Sequence, residues 1–193
     1  MFVFTNMPNV PEGTIRIEQA HAPWPAMTLL RYHMFTKHKE QLSKMDYLFY
    51  SDADMRFEGR VGEEVLGELV ATQHPGFYDK PYSFFSQSYE KRPQSMCYMP
   101  PGYGGKNYYA GGFNGGRAGR YLQMAEEIKG WIDTDLKNGI IAVWHDESFL
   151  QKYLAGNSPT IVLSPAYCYQ EERTMPFERK LVALHKNHAE LRD

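Results

Sequence analysis

The run Tyr47-Leu48-Phe49-Tyr50-Ser51 leads straight into Asp52-Ala53-Asp54, and no other stretch constrains the fold of this chain as strongly. An apolar run of strand length that delivers two acids at its carboxyl end reads as the central strand of an α/β sheet. In open sheets of that class, ligands gather beyond the carboxyl ends of the strands. Two carboxylates flanking a small residue suit a divalent cation whose coordination is completed by phosphate oxygens. Asp is also a frequent turn former. The three residues alone therefore leave a structural turn and a metal site as open readings.

The surrounding chain fits an α/β domain. Strands are expected over Phe2–Thr5, Thr14–Glu18, Leu69–Thr72 and Thr160–Leu163. An independent domain rarely begins inside a strand, so material missing upstream is one expectation for this start. Trp24-Pro25 marks a helix start, with Met27, Leu30, Met34, Leu42 and Met45 on one face. Arg31, early in that helix, reads either as solvated or as an anion contact. Arg117–Asp133 is amphipathic, with Tyr121, Ala125, Ile128 and Ile132 sharing one face. Val61–Leu66 reads as a short helix and Ile140–Val143 as a strand or a buried connector. The polar segment Tyr82–Met99, containing Glu90-Lys91-Arg92, reads as a surface loop or an ordered lid.

At 193 residues the chain suits a single domain, 1–193, with one core. A net charge of -2 gives no global basicity to draw nucleic acid or an anionic membrane. No stretch is long enough to span a bilayer, and the amino-terminal residues lack the pattern of a signal peptide. Cys97 and Cys168 are the only cysteines; they match no zinc spacing and are expected to be reduced and interior.

Two further stretches carry chemistry. Tyr108-Tyr109-Ala110-Gly111-Gly112-Phe113-Asn114-Gly115-Gly116 is neither a dinucleotide fingerprint nor a P-loop. Its paired glycines permit close approach to a ligand, and the aromatic neighbours favour a ligand wall. Trp144-His145-Asp146-Glu147-Ser148 sets three ionisable residues after an apolar run and before a helix. First-turn acids complement the helix dipole, and their density also suits a catalytic rim. His74, before the Pro75-Gly76 turn, reads as a backbone-satisfying residue or a site residue. The basic tail holds Arg173, Arg179, Lys180, His185, Lys186 and His188, and reads as a flap over a phosphorylated leaving group or a solvated end.

Taken together, these strings resemble the retaining α-1,3-galactosyl- and N-acetylgalactosaminyl-transferase family that includes the histo-blood-group A and B enzymes. The resemblance also runs through His74-Pro75-Gly76-Phe77-Tyr78, Tyr89 to Ser95 and Leu163-Ser164-Pro165-Ala166-Tyr167, in family order across nearly the whole chain. It implies a GT-A fold, a Rossmann-like mixed α/β sheet. The implied donor is UDP-GalNAc or UDP-Gal, and the implied acceptor a galactose-containing glycan. Asp52 and Asp54 match the Mn²⁺ motif. Arg31, Asp52, Ala110, Gly111, Gly112 and Asp146 match donor-sugar contacts, with the small tripeptide leaving room for an N-acetyl group. His74, Ser88, Trp144 and Glu147 match acceptor-side positions, and Glu147 is the implied catalytic carboxylate.

The family carries a further βαβ-like portion ahead of the segment matched by Phe2–Thr5, including part of its uridine pocket; the resemblance implies that this portion is missing here. The lack of a membrane anchor resembles bacterial or phage-encoded members, implying a soluble protein in the cytoplasm of a bacterial or phage-infected cell. An inactive glycan- or nucleotide-binding remnant and a nucleotide-sugar hydrolase remain as alternative readings.

Overall fold

The computed structural model describes residues 1–186. Its centre is a four-stranded mixed sheet in the order β3-β6-β5-β7, formed by β3 (Tyr47–Ser51), β6 (Tyr109–Arg117), β5 (Val70–Gln73) and β7 (Ile161–Leu163). β6 runs antiparallel to both β3 and β5, and β7 runs parallel to β5. A second sheet, in the order β4-β9-β8, joins β4 (Met55–Phe57), β9 (Leu181–Ala183) and β8 (Tyr169–Gln170). β1 (Phe2–Thr5) and β2 (Ile15–Glu18) form a separate parallel pair. The result is an α/β fold with mixed sheets, as expected of a GT-A-like domain.

The helix expected from Trp24 onward is broken into α1 (Ala26–Leu29), α2 (Arg31–Lys37) and α3 (Lys39–Leu42). Breaks at Leu30 and His38 shift the helical phase. The buried face is therefore Leu29, Tyr32, Phe35 and Leu42, while Met27, Leu30 and Met34 are half-buried and Met45 is exposed. Two large aromatics displaced the methionines from the core because they bury more apolar area per residue. After the short α4 (Tyr82–Phe85), α5 (Ala118–Lys137) buries all four of its expected residues, Tyr121, Ala125, Ile128 and Ile132. Ile128 and Ile132 are fully enclosed, each worth about 1.5–3 kcal/mol of transfer free energy. α6 (His145–Gly156) packs against both α5 and β6. One face of the central sheet is thus covered by α2, α5 and α6, and the other by Phe113, Leu163, Tyr167 and Leu181.

Several expectations change. β3, expected as the central strand, lies at an edge of the four-stranded sheet, and the glycine-rich stretch forms an interior strand, because neighbours on both sides override the weak strand preference of glycine. Ile140–Val143 is an irregular connector in which Ala142 alone is buried, with Ile141 and Val143 exposed. The segment around Glu90 is an anchored strap: Glu90 is buried, accepts hydrogen bonds from Arg92 and from the Val143 N–H, and is held by Arg92 down to about 2. Val61–Leu66 contains only a single 3₁₀ turn at Glu63–Val65. Cys97 and Cys168 are both free and buried, as expected. Of the basic tail, His188 lies outside the described residues. No helix among the described residues is long and apolar enough to cross a membrane.

Gly116 has φ +146°, and a Cβ there would collide with the Glu68 carbonyl. Gly130 lies exposed in α5 with open space around it. Gly116→Ala is expected to destabilise the fold by about 2–4 kcal/mol, whereas Gly130→Ala should stabilise it by up to about 1 kcal/mol. Urea titration of both variants reads this directly, and equal effects would contradict the assigned backbone geometry.

Candidate active site

Two residues at the centre of the molecule lack strand partners. β3 pairs with β6 only from Phe113 onward, while β5 pairs with Tyr109 and Ala110 and then resumes at Asn114. Gly111 and Gly112 therefore have no register partner on either neighbouring strand. Buried backbone N–H and C=O groups must find partners, and here mainly side chains supply them. The Gly111 N–H donates to Glu147 Oε2 at 2.7 Å. The Gly111 carbonyl accepts from Arg31 Nη1 at 2.9 Å and from Asn114 Nδ2 at 3.0 Å. The Gly112 carbonyl accepts the Asp52 N–H at 3.0 Å, which fixes the acidic turn at the end of β3. One α6 turn beyond Glu147, Gln151 clamps the Tyr109 backbone, accepting its N–H at 3.1 Å and donating to its carbonyl at 2.6 Å. The i, i+4 spacing of Glu147 and Gln151 puts them on one face of α6, matched to alternate residues of β6.

Arg31 is the electrostatic hub. It is 5% exposed, pairs with Asp146 at 3.0 Å and Asp52 at 3.5 Å, and stacks over the Tyr50 ring at 4.2 Å. The Tyr50 hydroxyl donates to Asp52 Oδ1. Burial opposes the Arg31 charge, but Asp146, Tyr50 and Asp52 together hold its pKa above the usual value. A guanidinium does not deprotonate in proteins, so these carboxylates are bound to a permanent cation. Burial pushes Asp146 up to about 6 despite the pull of Arg31. Burial likewise pushes Glu147 up to about 7, against the opposing Gly111 N–H and a hydrogen bond from Tyr108.

The first turn of α6 aims these acids. His145 takes a left-handed φ of 48°, a conformation that costs a non-glycine residue on the order of 1–3 kcal/mol. Its ring packs edge-on against Trp24 at 4.7 Å. The reversal leaves Trp144 half exposed and turns Asp146 inward.

A cleft of about 520 Å³ opens in front of this wall. Asp52, Asp54, His74, Ala110, Gly111, Gly112 and Glu147 line one part; Cys168, Arg173, His185 and Lys186 line another. Arg31 and Asp146 lie behind the lining. Ser88, on the 3₁₀ turn Ser86–Ser88, and Trp144, at the start of α6, do not line the cleft. His74 is held neutral: burial, reinforced by Arg173, lowers it to about 4, and its Nδ1 accepts the Gly76 N–H at 3.0 Å. That bond leaves the proton on Nε2 as a donor.

A Cβ at Gly112 would stand 3.1 Å from Asp52 Oδ2 and 3.3 Å from Cys168 Sγ, and one at Gly111 3.4 Å from both the Asp146 and Glu147 carboxylates. Glycine here lets the acids close on the strand. Tyr50, Asn114, Tyr121, Gln151 and Cys168 were missed as members of the site. Only Asn114 left a sequence signal, as a lone amide within a glycine-aromatic strand.

Asp52 and Asp54 both face the cleft with hard oxygen donors, and Asp54 pairs with Lys186 Nζ at 2.5 Å. No group of three or more metal-ligating side chains occurs among the described residues. Any cation held by Asp52 and Asp54 would have to take its remaining ligands from a bound molecule or water.

Glu147→Gln is expected to stabilise the protein at neutral pH. The folded carboxyl holds its proton more tightly than the unfolded one, so its stabilising contribution is full below the usual glutamate pKa of 4.5 and is lost as pH rises through about 7. The stability gap between variant and wild type should widen over that window to on the order of 2 kcal/mol, allowing for solvent at the cleft face. Denaturant titrations at several pH values measure it; a gap independent of pH would contradict the assigned environment.

The family model for Glycosyltransferase family 6 matches residues 5–193. The chain is 37% identical over its whole length to histo-blood group ABO system transferase 1 of Rattus norvegicus, covering 59% of that protein. It is 33% identical over 94% of its length to globoside alpha-1,3-N-acetylgalactosaminyltransferase 1 of Homo sapiens, covering 54% of it. The chain thus spans a little over half the length of these relatives. Both are vertebrate proteins and lend no support to a bacterial or phage-type assignment. With the match running through the acidic turn, the glycine strand and the α6 acids alike, the chain belongs to Glycosyltransferase family 6.

Proposed function

We propose that this protein is a retaining α-1,3-glycosyltransferase that moves GalNAc or Gal from a UDP-sugar to a galactose-containing glycan. The observation that carries the reading is the Glu147 carboxylate, fixed by the Gly111 N–H on the wall of a cleft that also holds Asp52 and Asp54. The name of the human relative, a globoside alpha-1,3-N-acetylgalactosaminyltransferase, points the same way.

In this reading Arg31 and Asp146 form the rear of the donor-sugar pocket, with Ala110, Gly111 and Gly112 as its small-residue floor. Absence of side chains at the two glycines leaves space for an N-acetyl group. Mn²⁺ held by Asp52 and Asp54 would supply positive charge to the diphosphate as UDP departs. Glu147 then acts in one of two balanced ways. In double displacement its carboxylate bonds the anomeric carbon as the bond to UDP breaks, and the acceptor hydroxyl then displaces the carboxylate, its proton passing to a phosphate oxygen of the departed UDP. In same-face transfer the carboxylate steadies the oxocarbenium-like centre while the acceptor oxygen attacks on the side UDP leaves. Neutral His74 offers an Nε2–H donor to an acceptor hydroxyl. Ser88 and Trp144 reach the acceptor only beyond the rim of this cleft, as contacts to its outer residues.

Purified protein incubated with UDP-GalNAc or UDP-Gal, Mn²⁺ and a panel of galactosides should form product and release UDP. Glu147→Gln is expected to lower kcat by roughly 100-fold or more with little change in donor KM. Asp52→Ala and Asp54→Ala should abolish metal-stimulated donor binding. UDP release that ignores the acceptor would identify a hydrolase instead, and donor binding without any turnover would identify a binding remnant.

A further inference from the structure

Gly111 needs a second anchor. It has no strand partner on either side and no Cβ, so the two peptide planes that meet at its Cα can pivot freely. One plane carries the N–H that holds Glu147; the other carries the carbonyl. Arg31 binds that carbonyl, but the same guanidinium also serves Asp146 and Asp52. Asn114 is the one other group on the carbonyl. It is 2% exposed on β6, and its Oδ1 accepts the Tyr121 hydroxyl at 3.1 Å from the first turn of α5. The acceptor role toward Tyr121 fixes the amide orientation, so that Nδ2 is the atom presented to Gly111. Both side chains are uncharged and lie behind the cleft, so their bonds persist when a ligand draws on Arg31.

We propose that Asn114 and Tyr121 are a positioning pair: the Tyr121–Asn114–Gly111 chain of hydrogen bonds locks the Gly111 pivot and thereby sets the place of Glu147. The catalytic part of this statement rests on the glycosyl-transfer reading; the mechanical part does not. A buried amide with a phenol partner is otherwise an expensive way to fill a strand position that an apolar side chain would fill without any hydrogen-bond requirement.

Asn114→Leu removes the donor at similar volume, and Tyr121→Phe leaves Asn114 in place without its orienting partner. Hydrogen exchange at the Gly111 amide should accelerate by about 10-fold or more in Asn114→Leu, and less in Tyr121→Phe. Exchange at Ile128, in the α5 core, should stay near wild type in both. Transfer assays should show kcat lowered by about 10-fold in Asn114→Leu with donor KM within about 2-fold, and the double variant no worse than Asn114→Leu alone. Unchanged Gly111 exchange, or equal acceleration at Ile128, would overturn the clamp. Additive losses in the double variant would show that the two residues act separately and would also overturn it. Should the wild-type protein catalyse no transfer, the function assigned above fails, while Gly111 exchange still decides whether the pair holds the pivot.

Discussion

The structure depends on an interruption in its own central sheet. Gly111 and Gly112 have no strand residue beside them, and both residues are buried. Leaving one buried backbone group unpaired costs on the order of 1–3 kcal/mol. The fold meets that demand with Glu147 from α6, Arg31 from α2, Asn114 from β6 itself and the Asp52 backbone from the end of β3. The residues that repair the sheet are the same residues that make the candidate site. Space is tightest at Gly112, where a Cβ would crowd the Asp52 carboxylate and the Cys168 thiol.

Arg31 shows the energetic side of the arrangement. A buried guanidinium is costly unless its charge and donors are satisfied. Here it is met by Asp146, Asp52, the Gly111 carbonyl and the face of Tyr50. Removing either carboxylate leaves the other to balance the buried cation alone. The acids in turn stay near the threshold of protonation, with Asp146 at about 6 and Glu147 at about 7. Burial holds both carboxyls in this state at a cost in stability. The left-handed His145 adds a further local cost at the same place.

Much of the α/β frame was legible in the sequence. β3 spans the apolar run expected of it, though at a sheet edge and not at the centre, and α5 buries the four residues its periodicity selected. Both follow from local pattern and large buried area. The α1–α3 segment was misread because its phase changes at Leu30 and His38, which no single helical period captures. The strand at the glycine stretch was not legible because its strand character comes only from its neighbours. Glu90 looked exposed because charge was weighed without the Arg92 and Val143 partners that bury it. At the site, Asp52, Asp54, His74, the glycines and Glu147 do gather along one cleft, whereas Ser88 and Trp144 do not line it. Asn114, Tyr121 and Gln151 stayed silent because their roles are bonds to backbone atoms, and a sequence does not display which backbone atoms lack partners.

The central claim is that the carboxylate on the Gly111 N–H governs sugar transfer with retained stereochemistry. It is tested most directly by the anomeric configuration of the first-formed product from UDP-GalNAc and a galactoside, read by proton NMR during the reaction. An α-linked product, lost in Glu147→Gln, is the result this account predicts. A β-linked product, or an α-linked product formed at the wild-type rate by Glu147→Gln, would contradict it.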